Sequence, residues 1–556
     1  MIEKLHVFKA RKIHTMDPGR PEANAIAIAG ERIVSVGTLE SMKPWLDRYP
    51  HEIDERFAND VLLPGFIDPH THLRVSGLFM GLNYVGPIPS YGPKGRLNPC
   101  LTRDQVLDRL RELVAEATDP AQPIMCWGYD PARHGGHLDR DMLDAISAEI
   151  PIWVMCYAPH IVYTNSPMLA QTRADQTNQQ HGVGRYADGR LNGWFVETGA
   201  IALAMAPVQQ YLARPGSGEA ALRLLARAAV HNGVTSVADM GWGLMDFEME
   251  WADHHRLSLD ESFPLRVFLV AFEPTLRTKF EADRFAYLED KVALNNSRLM
   301  VQGVKWINDG SYPSMTLKLN FPGYLGEDHG ETGEVPWADL TEVMYPYWER
   351  GIQIHSHANG DQTIDMTLDV LAELQRRKPS FDHRFTIEHY SLSTPAQAKR
   401  LGALGGGASV NVYFVHYRGL LHSQAGFGPD RSEAVARLGS LERAGTSFCI
   451  HSDYNLVVCP MAPLHGAWIA ATRLAEDGET VMAPGERISL ERALRAITID
   501  AAYRLKRDHE IGSLEAGKFA DMAILSDDPY ELGAENLNAI AIRGIVSGGR
   551  VHLADV

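Results

Sequence analysis

Cysteine is scarce in this sequence. There are five in 556 residues, at positions 100, 126, 156, 449 and 459, and no two stand as Cys-x-x-Cys. That excludes a disulfide framework and fits a reducing compartment. No uninterrupted apolar run is long enough to cross a bilayer. The opening Met1-Ile-Glu-Lys-Leu-His-Val lacks the charged-then-apolar pattern of a secretion leader, so a cytoplasmic protein is expected. Positive charge is also short: 53 Lys and Arg face 70 Asp and Glu, a net charge of −17. A nucleic-acid surface and an anionic membrane are therefore excluded as partners, which leaves a small molecule.

What is present is ordinary for a globular chain, 45% hydrophobic and 22% charged, and long enough for more than one domain. Short apolar stretches recur at 233–239, 265–271, 301–308, 351–357, 384–389, 408–413 and 446–453, after a first one at Phe66-Ile67. Helix-like segments such as 362–377 and 394–404 separate most of them. Alternation of this kind predicts a parallel sheet covered by helices, and eight units suit an α/β fold of the closed (β/α)8 (TIM) barrel type. Strand–turn–strand patterns at both chain ends predict one small sheet domain built from residues 1–62 with 508–556, flanking a barrel over 63–507. The interval 73–215 is too long for a simple connection. It carries its own helix (102–118) and strand (152–157), and is expected to be an insertion after the first barrel strand that covers the site.

The chemistry concentrates at the strand ends. In Leu63-Pro-Gly-Phe-Ile-Asp-Pro-His-Thr-His72, Pro69 marks the end of the strand, and residues two apart project to the same side. His70 and His72 thus present two imidazoles together, half of a site for zinc or a similar ion. Strands four, five, six and eight add Lys305, His357, His389 and Asp453. His355 shares a side with His357 but lies farther from the loop, so His357 is the expected ligand and His355 its support.

These stretches resemble the amidohydrolase superfamily, and within it the amidohydrolase 3 group related to N-substituted formamide deformylases. The resemblance rests on Pro64-Gly-Phe-Ile-Asp-Pro-His-Thr-His72, Val304-Lys-Trp-Ile-Asn-Asp-Gly310, His357-Ala-Asn-Gly-Asp361, Ile387-Glu-His389 and Ser452-Asp453. Asn165-Ser166, Asp188-Gly189 and the C-terminal Gly512-Ser-Leu-Glu-Ala-Gly-Lys-Phe-Ala-Asp521 extend it to nearly the full length. It implies a (β/α)8 barrel with a β-sandwich built from both ends and metal-dependent hydrolysis, usually of a C–N bond, with one or two divalent ions (Zn2+) and, by family analogy, a homodimer. Position by position it makes His70, His72, His357 and His389 ligands, and Asp453 a ligand and proton acceptor. Lys305 falls where many relatives carry a carboxylated lysine bridging two metals. With a single metal, an unmodified Lys305 would contact substrate or Asp309. The resemblance also brings His160 and Glu197 near the substrate, His160 as a donor to a developing oxyanion. Trp194 and Tyr312 are candidates for an aromatic pocket wall. His451 departs from the pattern, because a glycine is usual before Ser452-Asp453.

The expected reaction is attack of a metal-activated hydroxide on a carbonyl. A bound metal lowers the pKa of water from ~16 towards 7, and Asp453 passes the proton to the leaving amine. Amide, N-acyl or N-formyl compounds that are small and apolar or aromatic are the expected substrates. Ester or lactone hydrolysis and ring deamination need the same metal barrel and stand as the alternative. A non-catalytic scaffold would be expected to lack ligands, and all six positions are filled.

Overall fold

The computed structural model describes residues 4–172, 174, 180–212, 216–326, 330–457 and 459–554. Eight parallel strands form one sheet in barrel order: β1 (Phe66–Thr71), β2 (Val234–Trp242), β3 (Arg266–Phe272), β4 (Leu299–Ile307), β5 (Gln353–Ala358), β6 (Thr386–His389), β7 (Gly407–Val410) and β8 (Ser447–Ile450). Every residue of β1, β2 and β3 is buried, as expected for parallel strands covered by helices outside and by packed side chains inside. At the seam, the Asp453 amide donates to the His70 carbonyl at 3.0 Å, tying the segment after β8 to β1. The chain folds as the (β/α)8 barrel that its strand alternation predicts.

The covering helices carry their own signals. Pro395–Ala403 starts on a capping box, in which the Thr394 hydroxyl accepts from the Gln397 amide and the Gln397 side chain reaches back. Asp361–Arg377 buries Ile364, Leu368, Leu371 and Leu374, spaced three and four apart on one face. β7 is shorter than its apolar run suggests. It ends at Val410, and Tyr413 and Phe414 open the helix Tyr413–Ala425 instead of lying in a loop.

The chain ends meet in one continuous seven-stranded sheet. Its order is Arg550–Leu553, Ile542–Ser547, Met522–Leu525, His51–Pro64, Leu5–His14, Glu22–Ala29 and Arg32–Gly37. Alternation gives it two apolar faces. Phe8, Ile26 and Ile28 join one cluster, while Val7, Ala25 and Ala27 join another. Arg266 on β3 forms a bidentate pair with Asp521, at 2.6 and 3.1 Å, with both side chains buried. Asp521 also accepts from the Gly548 amide at 2.7 Å, which explains why an aspartate closes the C-terminal motif.

A second compact unit comprises Leu73–Leu225 with Tyr454–Pro460. Its six-stranded sheet runs Val183–Arg185, Leu191–Val196, Ile161–Thr164, Ile152–Cys156, Ile124–Tyr129 and Asn83–Tyr84. The helix Arg103–Glu116, capped by Thr102, packs Val106, Leu110 and Leu113 into a core of its own with Cys126, Val154 and Tyr163. Among the described residues no helix is long and apolar enough to cross a membrane.

The Arg266–Asp521 pair gives a direct test of the fold. Replacing Arg266 with Met leaves a buried carboxylate without its cation, at a cost of about 3–5 kcal/mol. Thermal unfolding of R266M should therefore begin well below that of the parent. The double variant R266M/D521N should recover part of the difference.

Candidate metal centre

The polar ends of the barrel strands converge inside the barrel. His70, His72 and Asp453 bring one donor atom each to within 4.8 Å of one another, and His70, His389 and His451 do the same. His72 Nε2 lies 3.2 Å and His70 Nε2 3.6 Å from Asp453 Oδ1. The Lys305 ammonium nitrogen stands 2.7 Å from His70 Nε2. Five of the six residues named from the strand ends thus stand together: His70, His72, Lys305, His389 and Asp453.

The sixth, His357, sits beside them. Its ring centroid is 4.4 Å from that of His389, but its Nε2 is 3.1 Å from the Gly310 carbonyl and 2.8 Å from Asn359 Nδ2. Behind these groups lies a residue to which sequence reasoning gave no role. Glu388 receives Nδ1 of His70 at 2.6 Å on one oxygen and Nδ1 of His355 at 2.7 Å on the other. Glu388 is fully buried, inside the four-residue strand Thr386–His389. A lone carboxylate in so short a strand was the available signal.

Simple alternation would send Glu388 and His389 to opposite sides of β6. His389 instead has φ of 72°, in the left-handed region, and its side chain turns back towards His70, with rings 4.7 Å apart. Asp453 is left-handed as well, with φ of 56°. Non-glycine residues take this conformation at a cost, and such residues cluster where function fixes the side chain. Asp68 steadies the seam, accepting from the Ser452 amide at 3.1 Å and from the Ser452 hydroxyl. Burial pushes the Asp68 carboxyl up to about 7.

Electrostatics favour metal binding. Burial, reinforced by neighbouring positive charge, drives His70 and His389 well below the usual imidazole range, so both are neutral donors. Burial likewise brings His451 down to about 4. Burial opposes ionisation of Asp453, yet the hydrogen bond and charge of His72, with the charge of Lys305, outweigh it and hold its carboxyl below the usual range. Burial lowers Lys305 despite the nearby carboxylates of Asp453 and Glu388. Nδ1 of His72 and of His389, Nε2 of His355 and both nitrogens of His451 are buried with no hydrogen-bond partner among the described residues. Buried polar atoms without partners are costly. A divalent ion among neutral imidazoles and a carboxylate would satisfy several of them, so the residues present fit the group.

The other expected site residues have surroundings of their own. Asp309 is committed to structure, accepting from the amides of Asn359 and Gly360 at 3.0 and 2.9 Å and from Thr363 Oγ1 at 2.9 Å. Burial pushes its carboxyl up to about 7. Tyr312, expected on a pocket wall, is instead fully buried. It stacks on Phe414 at 5.0 Å and Phe427 at 5.4 Å and bonds Ser432 Oγ at 3.0 Å. His422 is buried against Tyr312. Trp194 belongs to the second unit, where its indole packs on His137 and donates to the Leu138 carbonyl at 2.5 Å. His160 is half-buried in a turn of that unit, its amide bonded to the Ala158 carbonyl at 2.7 Å. Glu197 begins the helix Glu197–Met205, and its side chain lies outside the described residues.

Residues 58–552 match the amidohydrolase family, and the chain belongs to it. With that membership goes its chemistry: the chain is a metal-dependent hydrolase. It is 27% identical to Protein LONG AFTER FAR-RED 3 of Arabidopsis thaliana, over 97% of this chain and 90% of that one. It is 23% identical to N-substituted formamide deformylase of Arthrobacter pascens, over 95% of each chain. Its fold is shared with an uncharacterized metal-dependent hydrolase from Pyrococcus horikoshii OT3, with a TM-score of 0.73 at 19% identity, covering 99% of this chain and 100% of that one.

Glu388 should matter to the metal without touching it, since carboxylates behind ligating imidazoles typically contribute 10–100-fold in affinity, and about that much should be lost in Glu388→Gln. Equilibrium dialysis against a chelator series measures the loss. Unchanged affinity would mean that His70 is oriented by something else.

Proposed function

We propose that this enzyme hydrolyses a C–N bond, in an amide, N-acyl or N-formyl compound, of a small substrate with an apolar or aromatic substituent. The observation that carries the reading is Asp453, buried yet held ionised, 3.2 Å from His72 and 3.6 Å from His70. Similarity to a formamide deformylase along 95% of both chains supports the choice of bond.

His70, His72, His389 and Asp453 would hold the ion, and zinc suits a set of imidazoles and a carboxylate best. When bound, such an ion supplies Lewis-acid activation of water and of the substrate carbonyl. The chain supplies the proton handling. Asp453 takes the proton released by water as the new C–O bond forms. It returns that proton to the amine nitrogen as the C–N bond breaks, leaving a carboxylic acid and an amine. Lys305 keeps the carboxylate ready by stabilising its charge. Glu388 holds the proton on His70 Nδ1, so Nε2 is the nitrogen presented to the metal. Lys305, buried and with its pKa lowered, would also suit reaction with carbon dioxide to a carbamate, which would supply an anionic oxygen donor.

Asp453→Asn should lower kcat by about 10²–10⁴-fold while the thermal melt stays close to the parent's. Assays with N-acyl and N-formyl amines, esters, lactones and amino-substituted rings, reading amine, alcohol and ammonia release, decide the bond. Amine release supports the reading, and exclusive release of alcohol or ammonia rejects it. Chelation should abolish turnover, and added Zn2+ should restore it. A mass increase of one carbon dioxide on Lys305, seen under non-acidic conditions, would identify the carbamate.

A further inference from the structure

A cavity of about 980 Å³ opens in the second compact unit, against the edge strand Asn83–Tyr84 of its six-stranded sheet. Small-molecule sites have volumes of about 300–1,000 Å³, so this one is at the upper end of that range. Its walls come from that strand, from the hairpin Ser90–Gly92 with Gly95–Leu97, and from the helix Arg103–Glu116. No residue of the metal centre lines it.

The lining is of two kinds. Leu82, Tyr84 and Met125 supply apolar area, with Tyr84 and Met125 buried. The Tyr84 hydroxyl is spent on the Ile88 carbonyl, so its ring offers surface and no free donor. Lys94, Arg96 and Arg109 supply positive charge. The acids of the neighbouring helix are already engaged: Glu112 pairs with Arg109 at 2.8 Å, and Asp108 with Arg111 at 2.5 Å. Lys94, at the hairpin turn, and Arg96, on its return strand, have no carboxylate partner among the described residues. A chain of net charge −17 thus holds uncompensated cations beside apolar side chains in one concave place. Concave surfaces lined by one sign of charge concentrate ligands of the other sign.

We infer that this cavity binds a small organic anion, a carboxylate carried on an apolar alkyl or aryl body. The planar guanidinium of Arg96 suits a carboxylate through two parallel hydrogen bonds, and Lys94 adds a point charge. The body of the ligand would cover Leu82, Tyr84 and Met125 and remove their area from water. An inorganic anion would leave that area exposed, and an organic cation would meet like charge.

Cys100 provides the readout. It lines the cavity, and of the five cysteines it alone is not buried. Partial burial raises its thiol, so alkylation is followed at mildly alkaline pH. The full-length protein is titrated with phenylbutyrate, phenylbutanol, phenylbutylamine and inorganic phosphate. Calorimetry gives affinity, and mass spectrometry gives the rate of Cys100 alkylation. Phenylbutyrate should bind and slow alkylation, while the amine and phosphate should do neither. The alcohol should bind about tenfold or more weakly, the scale of hydrogen bonds to charged groups. Lys94→Gln with Arg96→Gln changes two exposed side chains, so its thermal melt should match the parent's. It should lose about tenfold or more in affinity for phenylbutyrate and keep its affinity for the alcohol. Added salt should weaken the carboxylate alone. Carboxylate binding that persists in the double variant, or that leaves Cys100 alkylation unchanged, would overturn the inference. So would no binding of phenylbutyrate, equal binding of the alcohol or of phosphate, or tighter binding of the amine.

Discussion

A single buried carboxylate clamps the centre of this barrel. Glu388 sits between His70 on β1 and His355 on β5, within 2.6 and 2.7 Å of their Nδ1 atoms. A buried charge is tolerable only when hydrogen-bonded, and here each imidazole satisfies one oxygen. The consequence is directional. With its Nδ1 proton fixed, His70 can turn only Nε2 towards Lys305, Asp453 and an ion. Which nitrogen of His70 faces the cluster is thus decided one layer behind it, by Glu388 on β6.

Around that clamp the strand ends are bent out of regular geometry. His389 and Asp453 take left-handed backbone conformations, and Tyr390 follows with φ of 49°. The surrounding hydrogen bonds hold these residues in place. Asp453 donates its amide to His70 across the seam, and Asp68 takes both the amide and the hydroxyl of Ser452. A seam fastened in this way lets Asp453 be both strained and fixed, the condition that the proposed proton transfer requires.

Asp309 plays a comparable part for the loops. By accepting from Asn359, Gly360 and Thr363 it anchors the turn that leads from β5 into the helix Asp361–Arg377. Asn359 in turn lies 2.8 Å from Nε2 of His357. A residue that reads in sequence as a substrate contact therefore shapes the site by orienting a histidine. The aromatic residues share this fate. Tyr312, Phe414 and Phe427 pack on one another, and their area contributes to the core.

The sequence by itself determined the barrel and singled out most of the residues that meet in the candidate metal centre. Strand alternation is a local property, and His-x-His at a strand end, with Lys305, His389 and Asp453 ending later strands, follows from counting along each run. Glu388 remained without a role because its use depends on partners on other strands, His70 and His355. Strand periodicity also assumes regular backbone, so it could not foresee the left-handed turns at His389 and Asp453 that bring neighbouring residues to one side. Tertiary structure alone decided which polar groups would be buried together, because burial and the pairing it demands arise only once distant strands share one interior.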